Sequence, residues 1–107
     1  MIKIEKNKEK QYQFTLRTNS GSVLLNSVPY RDKETILRTV EMLPSLIDDH
    51  MVFERKTNHN GKFIFYLKDV NGKLIGTSQE YLSESGLENG IKNIRKTLDG
   101  MTDHSQL

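Results

Sequence analysis

The side chains that could do chemistry are few and scattered. Three histidines, His50, His59 and His104, stand in a chain without cysteine. His50 follows Asp48-Asp49 and His104 follows Asp103, so an acid–imidazole cluster occurs twice. No two histidines lie at metal-ligand spacing, and a metal site needs three or four converging ligands. The clusters therefore read as solvated loops, with no metal and no cofactor. Hydroxyls recur as well: Ser27 and Tyr30 precede one apolar helical pattern, and Ser78 and Tyr81 precede a second. In a strand-to-helix corner such groups satisfy backbone and pack a ring. The functional alternative is a pair of small-anion pockets near the two helix N-termini, where free amides and the helix dipole favour negative charge. Gly90 falls mid-helix, at a cost of about 1 kcal/mol against alanine. Either the helix approaches the sheet closely there or a ligand approaches the backbone. No phosphate-cradling glycine loop or nucleophile–base order accompanies these residues, so no catalytic residue is assigned.

A basic group forms the other candidate site. Lys3, Lys6, Lys8, Lys10 and Arg17 gather on the first hairpin beside Tyr12. Phosphate contacts with aromatic stacking are the means of binding single-stranded nucleic acid, which makes Lys8, Lys10 and Arg17 its candidates. However, Glu5 and Glu9 interrupt the group, and Tyr12 shares a strand face with Phe14 and Leu16. The bland reading is a solvated edge whose lysines block aggregation. Across the chain 16 basic residues meet 14 acidic ones, a net charge of +2, so nucleic acid is the less favoured partner.

The elements that must position these residues are easier to read. With 107 residues the chain is expected to form one domain, 1–107. Hydrophobic residues at 35% and charged ones at 28% describe a globular chain. The opening MIKIEKNKEK has no apolar run, and no window approaches the roughly 18 apolar residues of a membrane span, so a cytoplasmic protein without membrane contact is expected.

Laid on itself with an offset of 51, the sequence matches Phe14 to Phe65, Leu16 to Leu67, Gly21 to Gly72, Ser27 to Ser78 and Tyr30 to Tyr81. The apolar helical positions Ile36, Val40 and Leu43 match Leu87, Ile91 and Ile94. Two internal repeats follow, about 1–50 and 51–107. In the first, residues 2–6, 11–18 and 22–27 alternate as strands. Asp32 caps a helix from Lys33 to about Leu43, with Pro44 at or past its end. In the second, Met51–Lys56 is a strand. Asn60-Gly61 and Asn71-Gly72 predict two-residue hairpin turns with positive φ at both positions. Ser83 caps a helix to about Thr97 that Asp99-Gly100 ends. The tail MTDHSQL frays or adds an edge strand. Neither half buries its sheet face alone, so the expected class is α+β: two β-β-β-α(-β) repeats sharing one antiparallel sheet, both helices on one face.

The second half, with Gly61-Lys62-Phe63, Asn71-Gly72, Ile75-Gly76-Thr77-Ser78, Tyr81 and Asn89-Gly90-Ile91, resembles the YegP-like family of small bacterial proteins. The first half departs from that pattern, with Leu25 in place of Gly76 and Arg38-Thr39 in place of Asn89-Gly90. The resemblance implies β-β-β-α-β units in one sheet, the strand after each helix swapped onto the neighbouring unit. It also implies that single-repeat members pair as dimers, and hence that this chain is a monomer resembling such a dimer fused. It supplies no activity, substrate or catalytic residue. The favoured reading is a non-enzymatic binding or interaction module, with a protein or a small molecule as partner. The alternatives are the nucleic-acid-binding sheet and an enzyme or anion-binding protein with pockets near the helix N-termini.

Overall fold

The structure, a computed structural model, describes residues 2–46 and 52–105. The elements in chain order are β1 (Ile2–Lys6), β2 (Tyr12–Arg17), β3 (Val23–Ser27), α1 (Lys33–Leu46), β4 (Phe53–Thr57), β5 (Phe63–Lys68), β6 (Leu74–Ser78) and α2 (Glu84–Ser105). The strands form one antiparallel sheet in the order β1-β2-β3-β6-β5-β4.

Each of the four hairpins winds its turn by the same local chemistry. Asn58 N–H donates to Lys62 C=O at 2.9 Å, and Gly61 N–H returns to Asn58 C=O at 3.0 Å. The Asn58 Oδ1 then accepts from the amides of Asn60 and Lys62. Asn7 and Asp69 repeat this arrangement, and Thr18 does so with one amide. The fourth residue of each turn is left-handed: Lys10 (φ 63°), Gly21, Gly61 and Gly72. These are turns closed by a left-handed residue and a bulge. The two-residue turns expected at Asn60-Gly61 and Asn71-Gly72 do not form, because only the glycine of each pair has positive φ. The capturing side chains of Asn58 and Asp69 start the turn earlier.

Strand alternation places Phe14, Leu16, Phe65 and Leu67 on one face, all fully buried. Leu24 and Leu25 are both buried although they are consecutive. The register slips between Leu16 and Arg17, and the resulting bulge turns neighbouring side chains to the same side. Ile75 sits at the equivalent slip between Leu67 and Lys68. Ile36, Leu43 and Leu46 of α1 and Leu87, Ile91, Ile94 and Leu98 of α2 complete this core, so both helices cover one face.

The sheet is continuous because β3 pairs with β6. The register is Leu25↔Ser78, Asn26↔Thr77 and Ser27↔Gly76. Asn26 and Thr77 are themselves counterparts at the offset of 51, so the pairing is centred on a position facing its own counterpart.

Both helices run past their expected ends. α1 contains Pro44 and continues to Leu46, which is buried with Leu43. Burial of that last turn outweighs the proline, which removes the N–H that would have bonded Val40 C=O. α2 passes through Gly100 to Ser105. One glycine costs a helix only about 1 kcal/mol, so it ends a helix only where the left-handed conformation is adopted. The tail through Ser105 is thus helical rather than an edge strand. β4, which follows α1, joins β5 at the far edge; no strand follows α2 among the described residues. His50 and the pair Asp48-Asp49 lie outside the described residues.

Lys10 is the one non-glycine residue at positive φ among the described residues. A left-handed L-residue is strained. Lys10→Gly is expected to stabilise the protein by about 0.5–1 kcal/mol in chemical denaturation, net of the greater entropy of the unfolded chain. An unchanged midpoint would show that the first turn relaxes the strain by another route.

Candidate functional site

The two serines close the ladder where strand pairing gives out. Ser27 Oγ accepts the Phe14 amide at 2.8 Å and donates to Val28 C=O at 2.9 Å. Ser78 Oγ accepts the Phe65 amide at 2.9 Å and donates to Gln79 C=O at 2.7 Å. Both side chains are buried. Each hydroxyl has spent its proton and satisfied a buried N–H, as burial demands.

The tyrosines follow directly. Tyr30 exchanges both backbone hydrogen bonds with Tyr12, and Tyr81 does the same with Phe63. Each side chain then leans on its helix. The Tyr30 phenol is half-buried; burial pushes its pKa up, with Thr39 opposing and Asp69 adding. The Tyr81 ring stacks near Phe65, centroids 6.4 Å apart, and its hydroxyl fills the place where a Gly90 side chain would stand. A Cβ on Gly90 would lie 2.1 Å from that hydroxyl and 2.5 Å from Cζ. The close approach at Gly90 is therefore that of a phenol; at the matching position α1 carries Thr39, whose hydroxyl donates to Thr35 C=O.

The helix N-termini are occupied by the chain itself. Asp32 accepts the Thr35 amide at 2.7 Å, which holds its carboxyl below the usual range, and Ser83 accepts the Gly86 amide at 3.0 Å. A carboxylate at the α1 terminus repels the anion proposed for that corner.

Lys8 and Lys10 are not brought together with Arg17, which instead shares a concavity with Lys3 and Lys6. Lys8 and Lys10 lie exposed in the β1–β2 turn, while Arg17 lies at the other end of β2, roughly 17 Å away along the strand, with its Nε on Thr15. Lys6 stands over the Tyr12 ring on the helix-covered face, whereas Lys3 pairs with Glu5 on the uncovered face. His59 is exposed in the β4–β5 turn, and the side chain of His104 lies outside the described residues. Among the described residues no three His, Asp or Glu side chains gather to hold a metal.

Among the described residues, concavities open on the sheet in two places of note. One, of about 170 Å³, lies on the uncovered face between Lys3, Gln13, Thr15, Arg17 and Asn26. The other, of about 360 Å³, lies between the edge strand β4 and the start of α2, lined by Arg55, Lys56, Thr57, Phe63, Glu84, Leu87 and Glu88. Arg55 reaches across it to grip both oxygens of Glu88, which holds the Glu88 carboxyl below its usual value. Periodicity gives no sign of this second site, because its residues come from β4, β5 and α2.

A protein of Pseudomonas aeruginosa in the UPF0339 family is 33% identical over 95% of this chain and 94% of its own. The chain belongs to the UPF0339 family. Residues 58–101 match the model for a domain of unknown function, DUF1508. The solution structure of Escherichia coli YegP, a protein of unknown function, superposes with a TM-score of 0.84 at 30% identity, covering 91% of this chain and 84% of that one. The UPF0339 protein of Shewanella oneidensis gives a TM-score of 0.83 at 29% identity, over 89% and 80%. The YegP-like resemblance of the motifs from Gly61 to Ile91 thus extends to the whole fold. No helix among the described residues is long and apolar enough to cross a membrane.

Two outcomes test these assignments. Gly90→Ala should destabilise the fold by about 1–3 kcal/mol despite alanine's better helix propensity, because the phenol must move. Adding Tyr81→Ala should recover part of that loss in a double-mutant cycle; an additive pair would separate the two residues. A phenol with a raised folded-state pKa gives stability that is complete below its ordinary value of 10.0 and declines as pH rises above it. Tyr30→Phe should flatten this alkaline decline in denaturation midpoints. A decline as steep as the parent's would place its origin elsewhere.

Proposed function

We propose that this chain is a non-catalytic, monomeric binding module of the cytoplasm that takes a polypeptide partner through its sheet. The observation that carries the reading is where the polar groups are spent. The hydroxyls of Ser27 and Ser78 satisfy backbone, and the Tyr81 phenol fills the space beside Gly90. The openings that remain lie along an uncovered sheet face and an edge strand. Surfaces of that kind serve recognition of extended chains and protein faces. The absence of cysteine from the chain suits a reducing compartment.

The same reading takes the chain as two tandem repeats, about 1–50 and 51–107, fused as a pseudo-dimer. The self-centred β3–β6 register supports it, as do hydrogen bonds recurring at the offset of 51: Phe14–Ser27 with Phe65–Ser78, and Tyr12–Tyr30 with Phe63–Tyr81. Residues 1–50 alone then expose the β3 edge and half a core. They should be unfolded or should self-associate in sedimentation and circular dichroism, whereas the full chain sediments as a monomer. A folded, monomeric half-chain would overturn the shared sheet.

Function is tested by thermal shift at low salt against metabolites, nucleotides, single-stranded DNA and RNA, and a library of extended peptides. A peptide at about 100 times its Kd should add about 2.7 kcal/mol, several degrees of Tm. Chemical conversion of a metabolite that shifts Tm would make the protein an enzyme. A nucleic-acid shift that fades with salt and needs Lys8, Lys10 and Arg17 would establish the other alternative.

A further inference from the structure

We infer that the groove between β4 and α2 is a strand-addition site for an extended, basic segment of a protein partner. The inference rests on the binding-module reading and names its site and the chemistry of its partner.

The backbone supplies the first half of the argument. Phe63 directs its N–H and C=O to Tyr81, and the Phe65 N–H points to Ser78, so both residues face away from β4. In an antiparallel pair, residues that exchange bonds alternate with residues that do not. Ile64 and Tyr66 therefore bond β4 through their partners Lys56 and Glu54. Phe53, Arg55 and Thr57 are left with N–H and C=O directed at the open edge, since β4 ends the sheet. The side chains of Arg55 and Thr57 stand on the face that lines the 360 Å³ groove. An added strand would satisfy these backbone groups and drop alternate side chains into that groove, onto Phe63 and Leu87.

Charge identifies the occupant. Glu84 and Glu88 stand one turn apart on α2 beside β4, and Glu80 precedes the helix in the segment that leads into Tyr81. Glu80 accepts from Asn58 Nδ2 at 2.5 Å at one end, Glu84 lines the groove, and Glu88 holds Arg55 at the other end. Neither Glu80 nor Glu84 has an ion pair among the described residues. Arg55, which could have guarded the edge as a bare cation, is neutralised by Glu88. Lys56 turns to the other face, onto Glu54 and the Tyr66 ring. The groove thus presents the Glu84 carboxylate, with that of Glu80 beyond its Asn58 end, to a strand laid on β4, and Lys or Arg at alternate positions complements them. At the matching positions of the first half stand Pro29, Lys33 and Leu37, so this acidic line belongs to the second half alone. A second copy of the chain is the poorer occupant: antiparallel self-pairing about Arg55 sets Arg55 against Arg55.

The probe is a short synthetic peptide alternating Arg with Val and Thr, compared with its Glu-for-Arg counterpart by amide chemical shifts and hydrogen exchange on the full chain. The Arg peptide is expected to shift the amides of Arg55, Thr57 and Leu87 and to protect those of Phe53, Arg55 and Thr57, while the Glu peptide does neither. The exposed double variant Glu80→Gln/Glu84→Gln should weaken binding about five- to tenfold and lower its salt dependence. Thr57→Pro removes only an edge donor and should abolish binding with the fold kept, as circular dichroism reports. Binding that ignores both variants, or shifts centred on Lys3, Asn26 and Thr77, overturns the groove and leaves the binding-module reading standing. Concentration-dependent association abolished by Thr57→Pro would give the edge to a second copy and overturn it too. Turnover of a metabolite in the thermal screen would instead remove the underlying reading.

Discussion

The pairing of β3 with β6 is the constraint on which the rest depends. It joins two three-stranded sheets, each marginal alone, into one surface broad enough for two helices. Its closeness is specific. A Cβ on Gly76 would lie 2.7 Å from Asn26 C=O and 3.0 Å from Leu25 Cγ, so the strand on one side has no side chain where the other carries a large one. Leu25, fully buried, occupies the room Gly76 leaves. The seam is geometrically self-centred but chemically complementary. Counterpart positions 25 and 76 do different jobs, which links the two halves as lock and filler rather than as copies.

From that seam outward, the chain handles the end of each ladder by one device. Beyond the paired residues of β2–β3 and β5–β6 a buried amide would be left over, and Ser27 or Ser78 takes it. An unsatisfied amide there would cost about 1–3 kcal/mol, which is reason enough for a serine in each place. The strand-like exchange at Tyr12–Tyr30 and Phe63–Tyr81 then returns the chain to the sheet before it turns into a helix. The hydroxyls of Ser27 and Ser78 that recur in both halves thereby act as joinery. Their spacing in the sequence reflects the geometry of the corner, not a reaction.

What could be read in the sequence follows the range of the force responsible. Alternation in Tyr12–Phe14–Leu16 and Phe63–Phe65–Leu67 marks strands, because burial on one face of a pleat has period two. The capping roles of Asp32 and Ser83 are equally local and are met. Errors arise where a distant partner decides. The end of α1 is set by burial of Leu46 rather than by Pro44. The turns at Asn60-Gly61 and Asn71-Gly72 are set by side-chain oxygens at Asn58 and Asp69, outside the dipeptides that carry the usual signal. Gly90 is legible as an anomaly, but its cause, the Tyr81 phenol, needs the tertiary packing. The β4–α2 groove leaves no local pattern, since strand, neighbouring strand and helix meet only after folding.

The two halves agree inside and differ outside, and the difference is itself informative. Phe14 and Phe65, Leu16 and Leu67, and Ile36 and Leu87 keep apolar bulk at matching core positions. At the two sheet edges the agreement ends. Where β4 and α2 carry Arg55 and Glu88, β1 and α1 carry Ile4 and Leu37, the latter 40% exposed. A surface ion pair such as Arg55–Glu88 adds little to stability, so stability alone gives scant reason for its presence at that edge. The exchange does change what each edge offers to another chain. Both edges leave strand backbone open; one sets it beside aliphatic side chains and Lys6, the other beside Glu80 and Glu84. A core constrained by packing with edges free to diverge is the arrangement expected when recognition, rather than folding, distinguishes the two ends of the sheet.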